Sequence, residues 1–152
     1  MLLVDGRTFH SKTGAPLDVY GEIDPKHDCI SDVGKELMDI DLFIWDEAPM
    51  QNRFLLDYLD KLLRLLAKRE KSEIPFGGVT VLLGGDWKQT LCIVKGIHDR
   101  SIISYTHKES PLWEKFEIMR LTRNMRVKEN EIEFSEWLEK VGNGPAGFNS
   151  ED

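Results

Sequence analysis

Apolar residues along the chain fall into short blocks with two different periods. "LFIW" at 42 to 45 and "VTVLL" at 79 to 83 are fully apolar runs, the first set between acids. Such runs predict strands buried on both faces. Between them, Leu55, Leu56, Leu59, Leu62, Leu63 and Leu66 recur at helical spacing, while Asp57, Asp60, Lys61, Arg64 and Lys68 occupy the opposite face. That is the pattern of an amphipathic helix, and Pro49 suits its first turn. Strand, helix and strand within about 45 residues make a βαβ unit, which implies parallel strands joined by a right-handed crossover. The predicted fold class is α/β, a parallel sheet flanked by helices.

Downstream, "FEIMRL" at 116 to 121 alternates enough to predict a further strand. "ENEIEFSEWLEKV" at 129 to 141 predicts a helix with Ile132, Trp137, Leu138 and Val141 inward. The opening "MLLV" reads as a strand, and the Gly, Pro and Asn density of "GNGPAGFNSED" reads as a loop or frayed end.

Composition changes this picture little. The chain has 152 residues, 41% hydrophobic and 31% charged, which suits one soluble globular domain. No apolar run approaches the roughly 20 residues of a bilayer span. The opening segment carries no basic leader ahead of a long apolar stretch, so no secretory signal is expected. Cys29 and Cys92 stand far apart without metal-site spacing, which fits a reducing, intracellular compartment. A net charge of −7 argues against binding nucleic acid by bulk electrostatics. It leaves room for a local groove, and Arg120, Arg123, Arg126 and Lys128 cluster in "MRLTRNMRVK". His10, His27, His98 and His107 are scattered and are expected on the surface or in loops; Trp45 and Trp113 are expected in the core.

The candidate chemistry lies where the strands end, because open parallel sheets place ligands beyond their carboxyl edges. The first strand ends in Asp46-Glu47 and the second in "GGDWKQ", Gly84 to Gln89. Phosphoryl transfer needs a carboxylate to hold Mg²⁺ and a second group to orient or deprotonate water. Adjacent acids leaving a strand point in different directions and can divide those roles. A neutral amide such as Gln89 can bond the γ-phosphate without adding negative charge, and arginine is the natural third partner. Each loop alone is also an ordinary turn or helix cap. A small metal-dependent hydrolase using Asp46, Glu47 and Asp86 is another reading of the same residues. Trp87 could pack beneath the second loop or stack on nucleotide or DNA.

"GRTFHS" (6 to 11), "APLDV" (15 to 19), "LFIWDEAPM" (42 to 50), "PFGG" (75 to 78), "LLGGDWKQTL" (82 to 91), "SPLW" (110 to 113) and "MRLTRNMRV" (119 to 127) occur in that order. In this the chain resembles the PIF-family DNA helicases, in particular the branch carried by Helitron transposons. The resemblance implies a partial RecA-like P-loop NTPase lobe from a superfamily 1 motor that hydrolyses ATP to move 5′ to 3′ on single-stranded DNA and separate duplexes. It implies Asp46 as the Mg²⁺ carboxylate, Glu47 as the catalytic base, Gln89 as the γ-phosphate sensor with Asp86 beside it, and Arg126 as the arginine of the fourth helicase motif. Thr8, His10 and Ser11 become candidates for DNA contacts. Phe9 stands where relatives carry a small residue, and Cys92 where they carry proline.

On this basis residues 1–118 are expected to form part of the first lobe, 119–144 to begin the second, and 145–152 to be a flexible tail. No G-x-x-x-x-G-K-[ST] phosphate loop occurs in the 152 residues. Without its backbone donors and lysine, the β- and γ-phosphates lose their main cradle. The expectation is a helicase fragment, a truncated product or incomplete gene model, with little or no activity alone. The alternative is a catalytically inactive remnant serving only as a binding or interaction module.

Overall fold

The computed structural model describes residues 6–89, 92, 94, 96, 99–122, 124, 125, 127 and 131–142. The chain divides into two compact units, Met1–Phe116 and Glu117–Asp152. The first is built around the leucine-rich helix. In chain order it holds helices α1 (Phe9–Thr13) and α2 (Asp32–Met38), strand β1 (Leu42–Trp45), helix α3 (Arg53–Leu66) and strand β2 (Thr80–Leu83), with short 3₁₀ turns between and after them.

Helix α3 runs for 14 residues because its leucines supply one continuous apolar stripe. Leu55, Leu56, Leu59, Leu62 and Leu63 are almost wholly shielded from water, and Tyr58 joins them. Each buried leucine contributes about 2 kcal/mol through apolar area removed from water. The helix starts later than the sequence suggests. Pro49 belongs to a separate 3₁₀ turn, Ala48–Met50, and Asn52 is the N-cap, its Oδ1 accepting from the Phe54 N–H at 3.0 Å. The two placements are hard to tell apart by pattern, since proline suits the first turn of either kind of helix. Asn52 Nδ2 also donates to the Val19 carbonyl at 2.8 Å, so one side chain both opens α3 and anchors the preceding loop.

The polar face of α3 differs from expectation at Asp60, which is buried. Its carboxylate accepts from the Phe76 N–H at 2.6 Å and lies 3.6 Å from Arg64 Nη1. That bond holds the Pro75–Gly78 turn, where Phe76 and Gly77 both have positive φ. A Cβ on Gly77 would sit 2.5 Å from the Leu63 carbonyl oxygen, so glycine lets the turn lie directly on α3. The turn feeds the chain into β2.

Strands β1 and β2 pair in parallel, with Leu42 opposite Thr80 and Trp45 opposite Leu83. The βαβ unit and its parallel sheet are therefore as read from the pattern. Burial on both faces is not. Phe43 and Trp45 face the core with Val81 and Leu83 packed against it, whereas Leu42, Ile44 and Leu82 are each more than 40% exposed. Both runs lack alternation, so the sequence hides which face is covered, and the described elements cover only one.

Residues 116 to 121 form no strand; Ile118, Met119 and Leu121 are exposed. A strand needs a hydrogen-bonding partner, and among the described residues β1 and β2 pair only with each other. In the second unit, helix α4 spans Ile132–Gly142, in agreement with its periodicity. Its apolar side chains are not inward: Ile132, Trp137, Leu138 and Val141 are exposed, with Phe134 and Trp137 stacked at 5.8 Å. An amphipathic face is buried only where another element meets it. The segments "MLLV" and 143–152, and Arg123, Arg126 and Lys128, lie outside the described residues.

Candidate functional site

Asp46 is the first residue beyond β1, and its carboxylate is exposed. Its Oδ1 accepts from the Glu47 N–H at 3.0 Å. Glu47 follows in a left-handed conformation, φ 53° and ψ 34°. Non-glycine residues adopt that region only when their surroundings impose it. Here the surroundings are the second strand's exit. The Gly84 N–H donates to the Trp45 carbonyl at 2.8 Å, and the Ala48 N–H donates to the Gly84 carbonyl at 3.0 Å. The two strand-end turns are thus laced together through backbone groups.

The two glycines at this exit differ in how much room they leave. A Cβ on Gly84 would make ordinary contact with the Asp46 carboxylate, 3.4 Å from Oδ1. Gly85, with φ of 154°, packs against Pro49, and a Cβ there would collide with the proline ring. Beyond them Asp86 organises its own turn: Oδ1 accepts from the Lys88 N–H at 2.9 Å, and Oδ2 lies 3.5 Å from Gln89 Nε2. Gln89 is exposed and oriented through Asp86. Trp87 is half-buried, edge-on to Trp113 at 5.7 Å with Lys108 Nζ 4.8 Å from its ring centroid. This arrangement supports its reading as a packing residue of the loop.

Among the described residues no group of three or more His, Cys, Asp or Glu side chains could hold a metal ion by itself. A single exposed carboxylate at a strand end nevertheless fits Mg²⁺, which keeps several waters and takes substrate phosphate oxygens as further ligands. Asp46 is the residue that would hold it. The described residues include a shallow depression of about 490 Å³, lined by Asp24, Pro25, Asp60, Lys61, Arg64 and Leu65 and by none of the strand-end residues.

His107, expected on the surface or in a loop, opens a short 3₁₀ turn, His107–Glu109, and is buried to 1% exposure. Its ring stands edge-on to Trp45 at 5.3 Å, and Nε2 donates to the Ala48 carbonyl at 2.8 Å. Burial lowers the imidazole pKa to about 4, the Ala48 bond opposing this only in part, so the ring is neutral near pH 7. The segment around it is fastened to α3: Ser110 Oγ donates to Asp57 Oδ1 at 2.7 Å and Arg53 Nη1 to the Glu109 carbonyl at 2.9 Å. Burial pushes the Asp57 carboxyl up from its ordinary value, and the Ser110 bond partly offsets the rise. No spacing in "YTHKESPLW" signals this role, because the partner is 59 residues away.

Thr8, His10 and Ser11 gather at α1. Thr8 is its N-cap, Oγ1 accepting from the Ser11 N–H at 3.3 Å. His10 is half-buried, its ring edge-on to Phe9, and Ser11 is exposed. Phe9 stacks on Trp45 at 3.9 Å with the planes 20° apart. The bulky residue at position 9 thus serves the core beneath β1 and sets α1 against the strand that carries Asp46.

A parallel βαβ unit whose first strand ends in an acidic turn, laced to a glycine turn ending the second, is part of a RecA-like lobe. The PIF1-like helicase family model matches residues 1–152. The chain belongs to that family. It is 29% identical to a Bacteroides Pif1 bound to single-stranded DNA, covering 91% of this chain and 33% of that one, with a TM-score of 0.72. A Bacteroides Pif1 helicase in complex with ADP-AlF₃ and single-stranded DNA matches with 30% identity over the same shares and a TM-score of 0.71. The uncharacterized protein 030L of Invertebrate iridescent virus 6 is 34% identical over 92% of this chain and 27% of its own length. The chain therefore spans about a third or less of these relatives.

Proposed function

We propose that this chain supplies the Mg²⁺-binding and water-activating part of an ATP-dependent DNA helicase site. The observation that carries the reading is the Asp46-Glu47 turn, held in a left-handed conformation against the Gly84 backbone. In this reading Asp46 holds Mg²⁺, which would neutralise charge on the β- and γ-phosphates of ATP. Glu47 accepts a proton from the attacking water. Gln89, steadied by Asp86, hydrogen-bonds the γ-phosphate or the water. Arg126, outside the described residues, reaches the γ-phosphate from a second lobe that begins within 119–144. Thr8, His10 and Ser11 lie along the single-stranded DNA; the Thr8 hydroxyl accepts from the Ser11 N–H as the cap of α1 and keeps its own hydrogen to donate.

The relatives crystallised with single-stranded DNA and ADP-AlF₃ support the choice of both ligands. Translocation 5′ to 3′ and duplex separation belong to the same proposal. Because the 152 residues contain no G-x-x-x-x-G-K-[ST] loop, turnover requires a phosphate cradle from outside this sequence. On this reading the chain alone hydrolyses little or no ATP.

Phosphate release from ATP, measured with and without single-stranded DNA, tests the reading. In a polypeptide that joins this chain to a phosphate loop, DNA-stimulated turnover is expected to fall by roughly 10²–10⁴-fold in Glu47→Gln, the usual worth of a general base. Turnover unchanged by Glu47→Gln would refute it. Metal-dependent hydrolysis of other substrates, indifferent to ATP, would favour the small-hydrolase reading.

A further inference from the structure

The two peptide groups that flank the Ala48 Cα are both held. The Ala48 N–H is bonded to the Gly84 carbonyl at 3.0 Å, and the Ala48 carbonyl accepts both from the Gln51 N–H at 3.0 Å and from His107 Nε2 at 2.8 Å. Ala48 itself is 1% exposed, so these groups have no water to replace a lost partner. The residue immediately before it is Glu47, whose positive φ needs external restraint.

We propose that His107 is a positioning residue for the Asp46-Glu47 turn. Its Nε2–H fixes the Ala48–Pro49 peptide through the Ala48 carbonyl, while the Gly84 carbonyl holds the Glu47–Ala48 peptide on the other side of the same Cα, so the two restraints together hold the chain leaving the left-handed Glu47. The ring is well suited to the task. A carbonyl can only accept, so Nε2 must carry the hydrogen. Nδ1 is buried with no hydrogen-bond partner among the described residues, so a hydrogen there would be stranded. One tautomer is thereby selected. The ring is itself clamped, edge-on against Trp45 and carried by a segment bonded to α3 through Ser110 and Arg53. Trp45 is in turn covered by Phe9. The turn's geometry is thus set by a stack of Phe9, Trp45 and His107, from three separate parts of the chain. The inference builds on the functional reading for its significance, but the contact it asserts is independent of ATP, metal and DNA.

Amide hydrogen exchange of the full chain, followed by NMR, tests it. In His107→Leu the Ala48 and Gly84 amides are expected to exchange roughly tenfold faster relative to Leu59 and Leu62, about the worth of one buried hydrogen bond. His107→Gln, whose side-chain amide can donate to the same carbonyl, should restore protection. Equal acceleration at all four amides in His107→Leu, or no recovery in His107→Gln, would reduce His107 to a space-filling residue and overturn the proposal. The unsubstituted chain gives a second check that needs no variant: a long-range ¹H–¹⁵N spectrum should show the neutral Nε2–H tautomer at pH 7. An Nδ1–H tautomer or a charged ring would overturn the proposal. Failure of the Glu47→Gln turnover experiment would leave these results unaffected, so the two readings fail separately.

Discussion

Helix α3 and the strand-end turns lie next to each other in sequence and are stabilised in opposite ways. In α3 the backbone is ordinary and the side chains do the organising: a leucine stripe, one cap and one buried acid. In the turns the backbone is unusual and held by its own hydrogen bonds, Gly84 to Trp45 and Ala48 to Gly84, while Asp46, Glu47, Asp86 and Gln89 stay exposed. The helix gains stability by excluding water. The turns keep their acids in water, where a hydrated cation and a nucleotide could meet them. A scaffold with little tolerance thus holds a candidate site whose side chains are open to solvent.

That contrast can be broken or sharpened by substitution. Leu62→Ala, in the centre of the stripe, should cost roughly 2–5 kcal/mol through lost transfer energy and a cavity, read as a lower urea midpoint. Acid should act next. His107 titrates near 6.5 when unfolded and about 4 when folded, so below pH 6.5 the unfolded chain binds the extra proton. Stability contributed by its neutral burial is complete above pH 6.5 and lost as pH falls to 4, by roughly 3 kcal/mol at that end. Replacing His107 by Gln should flatten this part of the stability profile. Asn52→Ala, which removes the α3 cap and the bond to Val19, should cost about 1–2 kcal/mol in chemical unfolding. Leu65→Ala, at a position on the same helix that is 60% exposed, should change stability by no more than about 0.5 kcal/mol.

The same contrast explains what could be read from the sequence. The order β1, α3, β2 and the parallel sheet follow from apolar periodicity, because that periodicity is the cause of the burial. Asp46 and Glu47 at one strand end and Gly84 to Gln89 at the next follow as well. Pattern fails where the determining contact is distant in sequence or absent. Asp60 looked like a solvent-facing residue, and only the folded chain brings the Phe76 amide to it. His107 looked like a loop histidine until the fold set it under Ala48. Ile44 and Leu82 looked buried because their strands are almost wholly apolar, yet burial also requires an element to cover them. In "FEIMRL" the alternation is present, but among the described residues the segment pairs with no strand.

In the proposed site Asp46 binds the metal and Glu47 activates water. Steady-state ATP turnover as a function of Mg²⁺ concentration, in a polypeptide joining this chain to a phosphate loop, tests it most directly. The account predicts that Asp46→Asn raises the Mg²⁺ concentration needed for half-maximal turnover, whereas Glu47→Gln leaves that concentration unchanged and lowers the maximal rate by roughly 10²–10⁴-fold. Identical behaviour of the two variants, or full turnover in either, would contradict it.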